Sequence, residues 1–187
     1  MNSEAKVTTR TGKLTSASEW SQRLAFSIET MLEGDWPQVR EIYREGIETG
    51  NATFETVPPD WDKWNNAHRK DCRLVAREDG RLLGWAALSP VSSRAVYAGV
   101  AEVSVYVSPA ARGAGVGKAL LMRLTEESER CGIWTLQAGI FPENLASLRV
   151  HELCGFRRMG VRERPGKMGD VWRDVILMER RSRIVGV

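Results

Sequence analysis

The sequence predicts a mixed α/β fold, α+β in arrangement, with the strands mostly antiparallel. Three observations carry this. Hydrophobic spacing along the chain switches between periods of two and three to four residues in the order β-α-α-β-β-β-α-β-α-β-β. Asp79-Gly80 sits between two apolar runs and is the strongest short hairpin signal in the chain, so at least one strand pair is antiparallel and a doubly wound parallel sheet is excluded. From Glu102 to Leu121 a β-branched run is followed by a glycine-studded basic loop and an amphipathic helix, the order that seats a phosphate.

Residues 1–24 are polar, rich in Thr, Ser and Lys and without sustained period, and read as a flexible extension. A single domain is expected over residues 25–182, with 183–187 as a tail. Ala25 to Thr30 is a short strand. Asp35 is placed to cap a helix in which Pro37 occupies the first turn, where its missing N–H costs nothing, and Trp36, Val39, Ile42, Tyr43 and Ile47 recur at helical spacing. Gly50-Asn51 ends it. Asp60 caps a second helix running to about Lys70, with Trp61 and Trp64 on its core face. Cys72–Glu78 and Arg81–Ser89 form the hairpin, and Pro90 to Val100 is a loop carrying Arg94 and Tyr97.

Val103, Val105 and Val107 alternate with Ser104 and Tyr106, a strand with one buried face that Ser108-Pro109 stops. After the glycine loop, Val116, Leu120, Leu121, Leu124 and Thr125 mark the inward side of a helix ending near Cys131-Gly132. Ile133–Ile140 is a strand. Asn144 caps a helix with Leu145, Leu148 and Leu153 inward, stopped by Gly155. Arg157–Glu163 and Trp172–Glu179 close the fold as two strands joined by the loop Pro165–Asp170.

Composition narrows the function classes. Lys and Arg number 27 against 24 Asp and Glu and are mostly interleaved with them, and the clusters Arg157-Arg158 and Arg180–Arg183 read as solvated faces and a basic tail, so a nucleic-acid partner gets little support. No apolar run approaches a membrane span, and no apolar leader opens the chain. Three widely spaced cysteines with two histidines suggest neither a disulfide framework nor a zinc site. A cytoplasmic protein with reduced thiols, and without metal, membrane or nucleic-acid partners, is expected.

In Arg112-Gly113-Ala114-Gly115-Val116-Gly117-Lys118 the glycines let a ligand approach the backbone, while the basic residues at either end favour a pyrophosphate. A P-loop would need Gly where Arg112 stands and Ser or Thr where Ala119 stands, so nucleotide hydrolysis is disfavoured. The dinucleotide fingerprint fails at Lys118. A structural loop without a ligand is the bland alternative.

The same run resembles the R/Q-x-x-G-x-G/A signature of the GNAT superfamily of N-acetyltransferases, between the same strand and helix. Asn144 through Gly155-Phe156 looks like the superfamily's second hallmark. Within it the chain is similar to the phosphinothricin and methionine sulfone or sulfoximine acetyltransferases, through Ile42-Tyr43, Thr53–Thr56, Val100–Val107, His151-Glu152 and Trp172–Val175. The resemblance implies a mostly antiparallel twisted sheet splayed at an acetyl-CoA site, a homodimer, and acetyl transfer to the α-amine of a small glutamate-like amino acid, with a detoxification role.

It also implies roles for residues. Glu102 is the general base that takes a proton from the acceptor ammonium, a task its apolar neighbours suit by raising its pKa. His151 stands at the family's second active-site position, able to donate to the departing sulfur or to relay a proton. Backbone groups of Val105, Tyr106 and Val107 receive the pantetheine arm, Arg112 to Lys118 hold the pyrophosphate, and Asn144 and Ser147 reach the lower pantetheine. Arg94, Tyr97, Phe54 and Ser104 match acceptor-binding positions, whereas Val91 stands where relatives commonly carry Trp. No cysteine falls on a motif position, so transfer is expected to be direct, in a ternary complex. A peptide N-terminal acetyltransferase and a non-catalytic acyl-CoA-binding module are the alternatives.

Overall fold

A computed structural model describes residues 25–187; the expected N-terminal extension lies outside the described residues. Seven strands form one sheet in the order β1-β2-β3-β4-β5-β7-β6. They are β1 (Ser27–Thr30), β2 (Leu74–Glu78), β3 (Arg81–Pro90), β4 (Val100–Val107), β5 (Thr135–Ile140), β6 (Arg157–Met168) and β7 (Val171–Arg181). The helices are α1 (Trp36–Glu48), α2 (Trp61–Ala67), α3 (Val116–Arg130) and α4 (Leu145–Leu153).

The predicted antiparallel hairpin forms where Asp79-Gly80 places it. Both turn residues take positive φ, 48° and 79°, the type I′ geometry whose twist matches that of the flanking strands. Every strand pairing is antiparallel except β4 with β5, which is parallel and short: only Val100, Ala101 and Glu102 pair, with Thr135, Leu136 and Gln137. β4 continues against β3 as far as Val107, while β5 turns away with β7. The two halves of the sheet therefore diverge after Glu102, and the β5-facing edge of β4 from Val103 to Val107 is open.

Two cores flank the sheet. Leu120, Leu121 and Leu124 of α3 are buried against one face together with Ala101, Val103, Leu136 and Met178. On the other face Val39, Ile42 and Tyr43 of α1 and Trp64 of α2 pack with Trp85 of β3. Tyr106 joins this second core, stacked on Trp85 at 4.7 Å with its ring close to the backbone of Gly46, where a side chain would collide with it.

Several boundaries differ from the sequence reading. Asp35 precedes α1, but its carboxylate accepts from the Leu32 N–H (2.9 Å) and pairs with Arg77 (2.8 Å), so it fixes the incoming chain to β2 instead of capping the helix. Helix α2 stops at Ala67, where the His68 ring binds back to the Trp64 carbonyl. On α4 the buried positions are Leu148 and His151, while Leu145 and Leu153 are exposed: they line the cleft described below instead of the core. The expected Pro165–Asp170 loop is mostly strand. A bulge between Arg162 and Gly166, with Arg164 at φ +49° and its N–H bound to Asp174, absorbs the irregular residues, and β6 runs on to Met168.

Candidate active site

The splay opens a cleft of about 1200 Å³ between the two halves of the sheet, with α4 and the loop after α1 along its sides. It collects Glu102, Ser104, Val105, Tyr106 and Val107 of β4, Arg112, Gly113 and Gly115 to Lys118 of the glycine loop, Asn144, Ser147 and His151 of the α4 segment, and Phe54. Positions about a hundred residues apart in sequence thus share one wall.

The glycine loop takes the conformation its composition permits. Gly113 and Gly115 have φ of +82° and +84°, with no heavy atom within 4 Å of where a Cβ would stand. The Ala119 N–H binds the Gly115 carbonyl at 3.0 Å, and no backbone bond engages the N–H groups of Val116 and Gly117 among the described residues. The N–H groups of Val116 and Gly117 therefore face outward at the positive end of a fifteen-residue helix. Arg112 is exposed beside them and Lys118 is at the rim. The loop, the open backbone edge of β4 and the absent side chains fit a long ligand ending in phosphates. Ala114 is the one residue of the run that does not line the cleft; its N–H bonds to Ala111.

Glu102 stands at the last β4–β5 pair, where the sheet begins to part, and its carboxylate opens onto the cleft. The surrounding walls strip enough water from it to raise its pKa above the usual carboxylate value, while Arg162 across the cleft pulls the other way. Oε1 lies 3.9 Å from the point a Cβ of Gly139 would occupy, so the missing side chain there leaves room beside the carboxylate.

His151 is buried, with its ring edge against Phe156 at 4.9 Å. Nδ1 lies 2.9 Å from the Ser147 carbonyl. A carbonyl only accepts, so Nδ1 carries the proton and Nε2 presents a lone pair. Nε2 is buried without a partner among the described residues. Burial also lowers the ring's pKa, with the Ser147 contact opposing, and keeps it neutral near pH 7. Donation to a leaving sulfur would need the other tautomer or a desolvated cation, whereas accepting a proton in a relay suits this geometry.

Asn144 caps α4 by accepting from the Ser147 N–H (3.1 Å) and donates to the Asn51 carbonyl (3.0 Å), so its side chain ties two cleft walls together. Arg94 and Tyr97 are not brought to the cleft. They lie on the short 3₁₀ turn at Ala95–Tyr97, both exposed, with the guanidinium 5.6 Å from the ring centroid of Tyr97. The loop between β3 and β4 leaves the sheet at the Pro90–Ala101 pair, at the end of β4 away from the splay.

Sequence reasoning missed Arg173. Its guanidinium donates to the Gly50 carbonyl (2.9 Å), to Asn51 Oδ1 (2.9 Å) and to Glu143 (3.0 Å), and lies 4.2 Å over the Phe141 ring. Phe141 in turn meets Phe54 edge-on at 4.8 Å. Asn51, Phe54, Phe141 and Glu143 line the cleft, so this clamp backs that part of its wall. The sequence signal for Arg173 was its place inside the Trp172–Val175 segment of the family resemblance, which gave it no role. The fold also brings the widely spaced Cys72 and Cys131 together: their sulfurs and an Asp71 oxygen lie within 4.8 Å of one another, with Asp71 held by both donors of a bidentate Arg69.

Residues 36–156 match the acetyltransferase (GNAT) family. The chain belongs to that family. A phosphinothricin N-acetyltransferase of Alcaligenes faecalis is 37% identical over 169 residues, covering 84% of this chain and 83% of the relative. An L-methionine sulfoximine/L-methionine sulfone acetyltransferase of Salmonella typhimurium is also 37% identical, over 79% of this chain and 89% of the relative. Among solved structures, a GNAT superfamily phosphinothricin acetyltransferase from Sinorhizobium meliloti in complex with AcCoA superposes with a TM-score of 0.75 at 29% identity, covering 84% of this chain and 89% of the other. The fold and enzyme class expected from the motifs hold.

Proposed function

We propose that this GNAT enzyme transfers the acetyl group of acetyl-CoA to the α-amine of a small glutamate-like amino acid, of the phosphinothricin, methionine sulfone, sulfoximine or arsinothricin type. The observation that carries the reading is the placement of Glu102, the open edge of β4 and the Gly113–Lys118 loop along one cleft. A thioester arm pairs with the backbone of Val105 to Val107 as an added strand, and its pyrophosphate meets the N-terminus of α3 and Arg112. An N–H of β4 that the splay leaves open then polarises the thioester carbonyl.

Glu102 takes a proton from the acceptor ammonium, freeing the nitrogen lone pair to attack the carbonyl carbon. Collapse of the tetrahedral adduct breaks the C–S bond, and the second proton lost by nitrogen balances the charge on the departing thiolate. His151, neutral and with Nε2 as acceptor, serves the relay side of this traffic. Transfer is direct. Assembly as a homodimer, a cytoplasmic location and a detoxification role belong to the same reading.

Thiol release from acetyl-CoA tests it across phosphinothricin, methionine sulfone, methionine sulfoximine, arsinothricin and an Ala- or Ser-started peptide. Turnover confined to the small amino acids is expected. Turnover with the peptide alone selects an N-terminal acetyltransferase, and acetyl-CoA binding without turnover on any amine selects a non-catalytic module.

A further inference from the structure

One face of the sheet carries a row of side chains from β4 across to β6. Glu102 pairs with Gln137, and two residues along β5, on the same face, is Gly139. Gly139 pairs with Leu177 of β7; two residues back on that face is Val175, which pairs with Arg162 of β6. The row narrows at Gly139. Oε1 of Glu102 lies 3.9 Å and Cγ1 of Val175 3.1 Å from the position a Cβ of Gly139 would take, so the two side chains close over a floor that has none of its own.

Arg162, across from Val175, is exposed and lines the same cleft. No hydrogen bond or ion pair joins it to another side chain among the described residues, where twelve ion pairs engage half of the other arginines. Its charge is felt at Glu102 even so. A cation and a carboxylate suited to an ammonium, lining one cleft from opposite halves of the sheet, have the charge pattern of a ligand with an amine at one end and an anion at the other.

We infer that Arg162 and the bare floor at Gly139 form an anion subsite, so that the preferred acceptor carries a charged acidic group at the far end of its side chain, its amine at Glu102. This rests on the proposed transfer reaction for the orientation of the ligand. The subsite replaces Arg94 and Tyr97 as the source of acidic-head recognition and selects phosphinothricin, with its phosphinate, over methionine sulfone, whose head is neutral. A guanidinium offers a carboxylate or phosphinate two parallel donors, which an ammonium cannot reproduce.

The test compares wild type with Arg162→Met and Arg162→Lys on phosphinothricin and methionine sulfone, with calorimetric binding of phosphinothricin to the same proteins. Loss of one charge-assisted contact predicts a KM for phosphinothricin about 10- to 100-fold higher in Arg162→Met, with kcat nearly kept, a small change for methionine sulfone, and partial recovery in Arg162→Lys. Removing the cation also shifts the acid limb of the pH profile upward, a change that a merely structural residue would not produce. Gly139→Ala, which fills the floor, is expected to raise KM for both acceptors. Equal changes for the two acceptors in Arg162→Met, or unchanged binding of phosphinothricin, overturn the subsite. Binding that depends on Arg162 in a protein releasing no thiol would support the subsite and overturn the transfer reaction instead.

Discussion

Arg173→Met removes the clamp that backs the cleft wall, and its effect can be worked from the contacts. Two neutral acceptors, the Gly50 carbonyl and Asn51 Oδ1, lose charge-assisted bonds of 2.9 Å each. Bonds of this kind contribute about 1.5–3 kcal/mol apiece. The stacking over Phe141 at 4.2 Å adds about 1 kcal/mol, and the pair with the largely exposed Glu143 adds little. The loop at residues 49–53 can relax toward water, so the sum is not realised in full, and a loss of about 3 kcal/mol is expected. For a chain of this size that lowers Tm by roughly 6–12 °C. Differential scanning calorimetry reads this directly. Acceptor KM should rise at temperatures where the variant is fully folded, because Phe54 and Phe141 lose their backing, while acetyl-CoA binding stays unchanged. Arg173→Lys keeps the charge and loses the fork, so it should fall between the two. Unchanged Tm together with unchanged acceptor KM would refute the clamp.

Gly84→Ala places a Cβ 2.7 Å from the Tyr106 carbonyl, which belongs to backbone and cannot turn aside; a destabilisation of about 1–3 kcal/mol in urea titration is expected, with weaker acetyl-CoA binding as β4 shifts. Arg112→Ala should raise the KM for acetyl-CoA severalfold and flatten its dependence on salt, measured by thiol release between low and physiological ionic strength, since a charge at a phosphate site acts through a screened field. His151 should titrate below the ordinary histidine range, and ¹⁵N NMR should find the Nδ1–H tautomer at pH 7, because burial disfavours the cation and the Ser147 carbonyl fixes the proton. Finding Nε2 protonated would return His151 to the role of acid.

What the sequence disclosed was local in origin. The Asp79-Gly80 turn, the Asp60 cap, whose carboxylate accepts from the Lys63 N–H at 2.8 Å, and the inward face of α3 are written within a few residues of where they act. The glycine loop was legible because only glycine adopts φ near +83° without strain. Long-range contacts were not. Asp35 looked like a cap until Arg77, 42 residues on, claimed one of its oxygens. Leu145 and Leu153 have the spacing of a buried face, yet α4 turns them to a cleft that exists only because β5 leaves β4. Arg173 binds residues 122 and 123 positions away, and no periodicity reports such a partner. Glu102 and His151 were found through the family pattern; the residues alone gave each several ordinary explanations. That pattern also pointed to Arg94 and Tyr97, which this fold holds outside the cleft, and passed over Arg162, which the strand registers set on the face of Glu102.

The pH dependence of kcat/KM in wild type and Glu102→Gln, with acetyl-CoA binding measured alongside, tests the central claim most directly. A base must be unprotonated to act, so wild-type activity rises as pH rises through the Glu102 pKa, which desolvation sets above the usual carboxylate value. The variant is expected to lose about 10²- to 10⁴-fold in turnover and to lose that acid limb, while binding acetyl-CoA with unchanged affinity. Turnover and the acid limb both preserved in Glu102→Gln, or activity and acetyl-CoA binding lost in equal measure, would contradict Glu102 as the base of an acetyl transfer in this cleft.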